Sequence, residues 1–519
     1  MLAPDSASAA PSGIDFQRLV VVSNRLPVVL SPLPGGAWNL ERGSGGLVTA
    51  LQPVLRRSGG LWMGWPGVGE GHNGDIDLVL RREAEALGYE LRGVGLTPEE
   101  EEGFYLGFSN QVIWPLFHDF QGRCNFRPRY WDAYTSVNRK FAAALAAEAR
   151  QGDFLWIHDY HLMGVGEGIR KLGVTLPAGF FLHIPFPPLD LFLKLPWRFP
   201  LLRSLLSYDL VGFQSVRDRD NFLYTATSLI PGLELRQRGH LVSMEVAGRT
   251  VTVGSFPISI DVEEFADASR TPEVVREAEK LDAAHRPPGT GPSKRGLILL
   301  GVDRLDYSKG IPHKLRGFRL ALRRYPELRG RVSLVQLVVP SREDIPEYHQ
   351  MKAEIDRLVG EINGEFSRPG WTPVHYRYGE WDRLELLAHY RMARIALVTP
   401  LKDGMNLVAK EFCMASPESD GVLILSEHAG ASSQLREGAL LVNPYDVEDV
   451  AATIRRACGL PGKERQHRMA LLQDRIRSED IHWWVRTFLD AAKGGGEGEE
   501  VEPHRRYVPP LPPGFLEGL

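Results

Sequence analysis

The stretch Lys402-Asp403-Gly404-Met405-Asn406-Leu407-Val408 interrupts an apolar run, and Glu411 follows it on a helix-like pattern. A glycine in such a break lets bare backbone N–H groups approach a ligand, and a helix beginning near Asn406 adds the positive end of its dipole. Glu411 then lies roughly 7–8 Å further along the axis, at about 1.5 Å per residue. That separation suits a nucleotide with its phosphate at the helix start and its ribose hydroxyls beside the first turns, where a carboxylate accepts two hydroxyl hydrogen bonds well. The same residues also read as an Asx-type cap followed by a solvated Lys410–Glu411 pair, and spacing alone does not choose. A second group, Arg304 and Lys309 in VDRLDYSKG, can converge on one diphosphate and stabilise a leaving nucleoside diphosphate without magnesium. Its alternative is a surface ion pair between Arg304 and Asp306. Gly45 and Gly46 in GSGGLVTAL form a glycine loop leading into a helix, again suited to close approach to phosphate.

These residues need elements to hold them, and the elements are legible. Continuous apolar runs recur with helix-length segments between them: RLVVVSN, DFLWIHD, AGFFLHI and DLVGFQS in one half, then GLILLGVD, VSLVQLVVP, RIALVTP, GVLILSE and ALLVNP in the other. Runs without alternation indicate strands covered on both faces, hence parallel sheets with crossover helices. The expected fold is α/β: two Rossmann-like, doubly wound parallel-sheet domains facing a central cleft. The polar Pro/Gly loop 282–295 separates the halves, with GSFPISID just before it able to carry the chain across. Ligands in such sheets bind at the carboxyl ends of the strands. The polar residues that close each run are therefore the ones to read: Ser23-Asn24-Arg25, His158-Asp159-Tyr160-His161, His183, the stretch from Arg304 to Lys309, Ser341-Arg342, Asp403 to Asn406, and Glu427 to Gly430.

Composition narrows the function classes. At 519 residues with 43% apolar content the chain suffices for two full cores. Lys+Arg 61 against Asp+Glu 65 gives a formal charge of −4, with no basic excess for a nucleic-acid backbone. Cys124, Cys413 and Cys458 are odd in number and far apart, which argues against a disulfide framework or a zinc knuckle and fits a reducing cytoplasm. The first residues lack a basic region followed by an apolar core, so no signal peptide is expected. The most apolar stretch, GFFLHIPFPPLDLFLKLPW, is broken by His183, Asp190 and prolines, which excludes a membrane span there. His158 and His161, which flank Asp159, could begin a metal site, but the sequence suggests no third ligand for them, so neither a metal nor a cofactor is expected. A dinucleotide-dependent oxidoreductase would share the strand pattern, but the first strand runs into SNRLP with no G-x-G-x-x-G opening a helix.

In their order along the chain, VVVSNRLP, SGGLVTAL, GFSNQVIWPLFH, WIHDYHLM, GFFLHIPFP, YDLVGFQS, GVDRLDYSKGIP, VTPLKDGMNLVAKEF and VNPYD resemble the trehalose-6-phosphate synthases, retaining glucosyltransferases of the GT-B fold in glycosyltransferase family 20. The resemblance spans roughly residues 18 to 485. It implies transfer of glucose from a nucleotide sugar such as UDP-glucose to the anomeric oxygen of glucose 6-phosphate. It also implies an acceptor-binding domain over 15–257, a nucleotide-sugar-binding domain over 258–475, a terminal helix over 476–493 crossing back to the first domain, and a tail over 494–519. On this likeness Gly45 and Gly46 contact the donor phosphates, and Arg304 and Lys309 hold the diphosphate. Asp403 and the backbone of Gly404, Met405, Asn406, Leu407 and Val408 grip the donor sugar, and Glu411 takes the ribose. Arg25, Tyr105, Trp114 and Arg342 match acceptor-side positions, where a sugar phosphate dianion favours bidentate guanidinium partners. Asp159 and His183 match positions next to the reacting carbons, Asp159 on the acceptor side as well. Trp62 and Trp65 lie near the same pocket in the family.

Trp114 and Tyr105 could instead be core aromatics, and the Trp483-Trp484 pair reads as packing. The family commonly follows His-Ile-Pro-Phe-Pro with Ser/Thr, a small residue or proline, then Glu; here Pro188-Leu189-Asp190 stands in that place. That departure bears on the acceptor and keeps two relatives in view, the glucosylglycerol-phosphate synthases and the pseudo-glycosyltransferases. A catalytically silent regulatory homologue is the reading from another class; its signature would be loss of donor-site residues, and Arg304, Lys309, Asp403 and Glu411 are present. The sequence leaves the nucleotide base and homo-oligomerisation open.

Overall fold

Apolar runs too uniform to alternate can be buried only between two layers of helix, and that is where they lie. The computed structural model describes residues 16–33, 38–43, 46–69, 73–285, 296–341, 346–416 and 420–494. They form two units, one running through Ile258 and resuming at Ile481, the other Ser259–Asp480.

The first unit is built on a nine-stranded sheet. Its spatial order is Glu90–Gly93, Leu61–Trp65, Arg18–Arg25, Asp153–His158, Ala178–Leu182, Leu210–Phe213, Arg249–Ser255, Leu241–Val246 and Leu235–Arg238. All neighbours are parallel up to Arg249–Ser255, and the last two strands return antiparallel. Read by chain position, the first six strands take the order 3-2-1-4-5-6, which reverses direction between Arg18–Arg25 and Asp153–His158. At the amino end of that strand pair Arg18 and Asp153 form a buried two-point ion pair, at 3.0 and 2.8 Å. The carboxyl end carries Arg25 and Asp159. Stability devices and chemistry thus occupy opposite edges of one sheet. The helix Ile481–Ala492 packs on this unit: Phe488 stacks on Trp156 at 4.4 Å and Trp484 is fully buried, donating from Nε1 to the carbonyl of Phe256 at 3.1 Å.

The second unit repeats the plan with six parallel strands in the order Val374–Tyr378, Val332–Val339, Leu297–Arg304, Ile395–Val398, Val422–Ser426, Leu440–Val442, again 3-2-1-4-5-6. Ile311, Leu315, Phe318 and Leu322 recur at helical spacing on Ile311–Arg324 and bury themselves against the sheet.

All nine apolar runs read from the sequence are strands. The strands that reading omits are Leu61–Trp65, the edge strands Glu90–Gly93 and Val374–Tyr378, the hairpin Val28–Pro32 with Trp38–Arg42, and the ribbon from Leu235 to Ser255. Most are edge or exposed elements, whose polar residues carry no apolar signal. Among the described residues no helix is long and apolar enough to cross a membrane.

Candidate functional site

In the second unit three loops meet at the carboxyl edge, above the point where strand order reverses. The strand Leu297–Arg304 ends at exposed Arg304 and turns through the 3-10 segment Tyr307–Lys309. Buried Asp306 fixes that turn by accepting from the backbone N–H of Ser308 at 2.9 Å and from Tyr348 Oη at 3.3 Å. The neighbouring strand Ile395–Val398 leads into the segment around Asp403. Leu401 N–H donates to the Ser308 carbonyl at 2.7 Å, which brings the two loops into register. Lys309 Nζ then reaches Asp403 Oδ2 at 2.6 Å, with both side chains 13% exposed. The third loop follows Val422–Ser426. Gly430 N–H donates to the Asp403 carbonyl at 3.1 Å and Ala431 N–H to the Met405 carbonyl at 2.9 Å, so residues 403–405 are held from both sides.

Asn406 takes a left-handed backbone, φ 82°, and caps the helix Leu407–Ala415 by accepting from Ala409 N–H, while its Nδ2 donates to Asp403 Oδ2 at 3.1 Å. A non-glycine residue held there is strained, as functional turns often are. The helix starts at Leu407, one residue after the sequence pattern places it. Glu411 accepts from Tyr390 Oη at 2.7 Å, and burial pushes its carboxyl up against the opposing effect of that bond. Lys410 is buried as well, and burial lowers its ammonium to about 7. The solvated Lys410–Glu411 pair of the alternative reading is therefore overturned: α-helical geometry turns these adjacent residues to different surroundings, Lys410 being buried and Glu411 half-buried against Tyr390.

In the first unit Arg25, at the end of its strand, lies over the ring of Trp65 at 3.9 Å and 5.6 Å from the centre of Tyr105. Tyr105 stacks in turn on His161 at 5.8 Å. It sits on a 13-residue π-helix, Glu101–Ile113, and Asn110 closes one turn by donating from Nδ2 to the Tyr105 carbonyl at 2.8 Å. π-helix is rare and concentrates at functional sites. Trp62 donates from Nε1 to Ser23 Oγ at 2.7 Å, and that hydroxyl donates to the Arg25 carbonyl at 2.6 Å, so Trp62 supports the backbone of Arg25. Trp114 is 5% exposed, with its ring 4.1 Å from His118 and 5.7 Å from Tyr160.

Asp159 has φ 73°, and its Oδ1 accepts from the backbone N–H of His183 at 3.2 Å. His183 is half-buried, His158 fully; Nδ1 of His158 meets Nε2 of His183 at 3.1 Å. Burial holds both imidazoles below the usual histidine range, His183 down to about 3 and His158 by a large margin with His183 contributing. Both are neutral.

The structure thus gathers Lys309, Asp403, Gly404, Met405, Asn406, Leu407 and Val408 at one edge with Glu411 on the following helix, and Arg25 with Tyr105 and Asp159 with His183 at the other unit's edge. Gly46 opens the helix Gly46–Ser58. Gly45 and Arg342 lie outside the described residues. Sequence reading missed Tyr390, which carries no motif signal, and Gln214, which closes the run DLVGF and was visible by the same strand-end rule. No group of three or more His, Cys, Asp or Glu that could hold a metal occurs among the described residues.

Two Rossmann-like units, each with chemistry at the carboxyl edge of a parallel sheet, define a glycosyltransferase of the GT-B fold. The chain belongs to glycosyltransferase family 20, whose model matches residues 17–494. It is 41% identical over 496 residues, 95% of this chain and 98% of the relative, to trehalose-6-phosphate synthase of Mycolicibacterium paratuberculosis. A Burkholderia multivorans trehalose 6-phosphate synthase structure superimposes with a TM-score of 0.81 at 35% identity, covering 92% of this chain and 97% of that one. The Burkholderia xenovorans UDP-forming enzyme in complex with glucose-6-phosphate gives 0.80 at 31% identity, covering 92% and 100%. The Escherichia coli enzyme bound with UDP-2-fluoro glucose gives 0.79 at 34%, covering 92% and 99%.

Proposed function

We propose that this chain transfers glucose from UDP-glucose to glucose 6-phosphate with retention, forming trehalose 6-phosphate. The observation that carries the reading is the clamp of the second unit: Lys309 locked to Asp403 beside a backbone turn, with a Tyr390-oriented carboxylate of Glu411 on the helix that follows. On this reading Arg304 and Lys309 neutralise the departing diphosphate, and Gly45 and Gly46 approach its oxygens. Asp403 and the backbone from Gly404 to Val408 grip the glucose, and Glu411 takes the ribose. Arg25, Tyr105, Trp114 and Arg342 receive the acceptor, and Asp159 and His183 stand next to the reacting carbons. Attack on the donor face lets a departing phosphate oxygen take the acceptor's proton, so catalysis rests on positioning and charge stabilisation.

The names of the relatives and the ligands in their structures support UDP-glucose and glucose 6-phosphate as the substrates. Pro188-Leu189-Asp190, where the short helix Leu189–Phe192 begins, favours keeping a second phosphorylated acceptor in the test. The test is a grid of UDP-, GDP- and ADP-glucose against glucose 6-phosphate, glycerol 3-phosphate and free glucose, with products identified by mass. A single product from UDP-glucose and glucose 6-phosphate supports the reading; product only with glycerol 3-phosphate replaces it, and none in any square removes it. The three cysteines are free thiols, which supports placing the protein in the cytoplasm.

A further inference from the structure

Asn110 lies on the π-helix Glu101–Ile113, one turn after Tyr105, and is 4% exposed. Its amide meets two groups on different elements: Nδ2 lies 2.8 Å from the Tyr105 carbonyl, and Oδ1 lies 3.1 Å from Oη of Tyr160. A carbonyl only accepts, so the atom facing Tyr105 is the NH2 group and the atom facing Tyr160 is the oxygen. The hydroxyl of buried Tyr160 is then the donor of the second bond. The helix type makes the first bond possible. A π-helix closes from residue i to i+5, so Asn110 follows the Tyr105 carbonyl where an α-helix would bring Ser109.

Tyr160 comes directly after Asp159, whose left-handed backbone, φ 73°, persists only where the surroundings fix it. The helix Pro128–Glu148 holds this loop by its backbone: Tyr134 Oη donates to the Tyr160 carbonyl at 2.9 Å, and Asn138 Nδ2 to the His161 carbonyl at 3.0 Å. Asn110 holds it by a side chain, from the element that carries Tyr105. Stacking of Tyr105 on His161 at 5.8 Å joins the same two elements, but a ring contact fixes separation and direction less closely than a hydrogen bond. We propose that Asn110 is a positioning residue that ties Tyr105 and Asp159 into one acceptor-binding surface, by keeping the π-turn of the first at a fixed distance from the loop of the second. This rests on the acceptor-side placement of Tyr105 and Asp159. Both bonds lie within the first unit, so their loss should fall on the acceptor and leave the donor clamp of the second unit as it is.

The experiment is a double-mutant cycle in the full chain with Asn110→Leu, which keeps the size and removes both bonds, and Tyr160→Phe, which removes only the shared one. Because both changes break one bond, their effects on urea unfolding should be less than additive. Asn110→Leu should lower kcat/KM for glucose 6-phosphate by about 10–100-fold, the scale of misplacing a substrate-positioning group by up to about 1 Å. Tyr160→Phe should lower it less, and the double variant no more than Asn110→Leu alone. UDP affinity in calorimetry and the slow hydrolysis of UDP-glucose should match the wild type in all three. Additive effects on unfolding overturn the proposal, as does an unchanged kcat/KM for glucose 6-phosphate or a UDP affinity that falls in step with it. Should Asn110→Leu fail to fold, Tyr160→Phe decides: a lowered kcat/KM with UDP affinity kept supports the role, and an unchanged one overturns it. A coupled unfolding cycle in a protein that transfers glucose to neither glucose 6-phosphate nor glycerol 3-phosphate would instead refute the functional reading on which the role depends.

Discussion

Replacing Gly430 by alanine tests the donor loop directly. A Cβ at Gly430 would sit 1.8 Å from the Gly404 carbonyl oxygen and 2.7 Å from its carbon. Both are backbone atoms, so no side chain can swing aside. Ordinary contact begins at 3.4 Å, so residues 404 and 430 must part by about 1.6 Å. The Ala431-to-Met405 hydrogen bond, 2.9 Å in the structure, would open to about 4.5 Å and cease to be one. The Gly430-to-Asp403 bond would weaken with it, and an Asp403 displaced by the same amount could not keep Lys309 at 2.6 Å. One lost and one weakened backbone hydrogen bond, about 1–2 kcal/mol together, with overpacking strain of about 1–3 kcal/mol, give a destabilisation of about 2–5 kcal/mol. A catalytic loop displaced by more than 1 Å costs on the order of 100-fold in kcat/KM. Urea unfolding, calorimetric titration with UDP and initial-rate kinetics read the three effects. Unchanged stability together with unchanged UDP affinity would show that the loop does not depend on this approach, and the reasoning would fail.

Gly360, in the exposed middle of the helix Pro346–Phe366, has nothing within 4 Å of where a Cβ would stand, so Gly360→Ala should stabilise by about 0.5–1 kcal/mol in urea unfolding without changing activity. Glu411→Gln should weaken UDP binding by about 10-fold or more in calorimetry, the scale of losing hydrogen bonds to a charged acceptor. Because burial raises the folded pKa of Glu411, its contribution is present below the ordinary glutamate value of 4.5 and lost as pH rises through the folded one, so the same variant should gain stability at neutral pH. His158 and His183 act in the opposite sense. Their folded values are depressed, so the stability they contribute is present above about 6.5 and lost as pH falls, for His183 toward about 3. The urea midpoint should drop across that window, and His183→Gln should flatten the drop; a midpoint that holds level would contradict their neutral state. Arg304 and Lys309 supply the charge for the leaving diphosphate, so activity should persist in EDTA, and complete inhibition restored by a divalent ion would contradict that role.

Strand identity was legible wherever the run was uniformly apolar, because burial on both faces leaves no polar position. From that pattern came the parallel sheets, the strand ends at which to search, and Arg25, Asp159, His183, Lys309 and Asp403 as their polar closers. Edge strands such as Glu90–Gly93 were invisible, since one open side removes the selection for apolar residues. The π-helix carrying Tyr105 was invisible too, its hydrogen-bond period having no distinct hydrophobic signature.

Which residue types stand at the ends of which strands is readable along the chain, because period and polarity are local properties. How they are held depends on packing between distant segments. Lys309 and Asp403 are 94 positions apart and meet because two strands are neighbours in a sheet. Glu411 is oriented by Tyr390 from another helix, and His183 meets the amide of Gln214, which the backbone N–H of Ile258 holds. Burial of Lys410, which overturned the solvated-pair reading, is likewise a property of what packs over a helix and not of the helix's own residues.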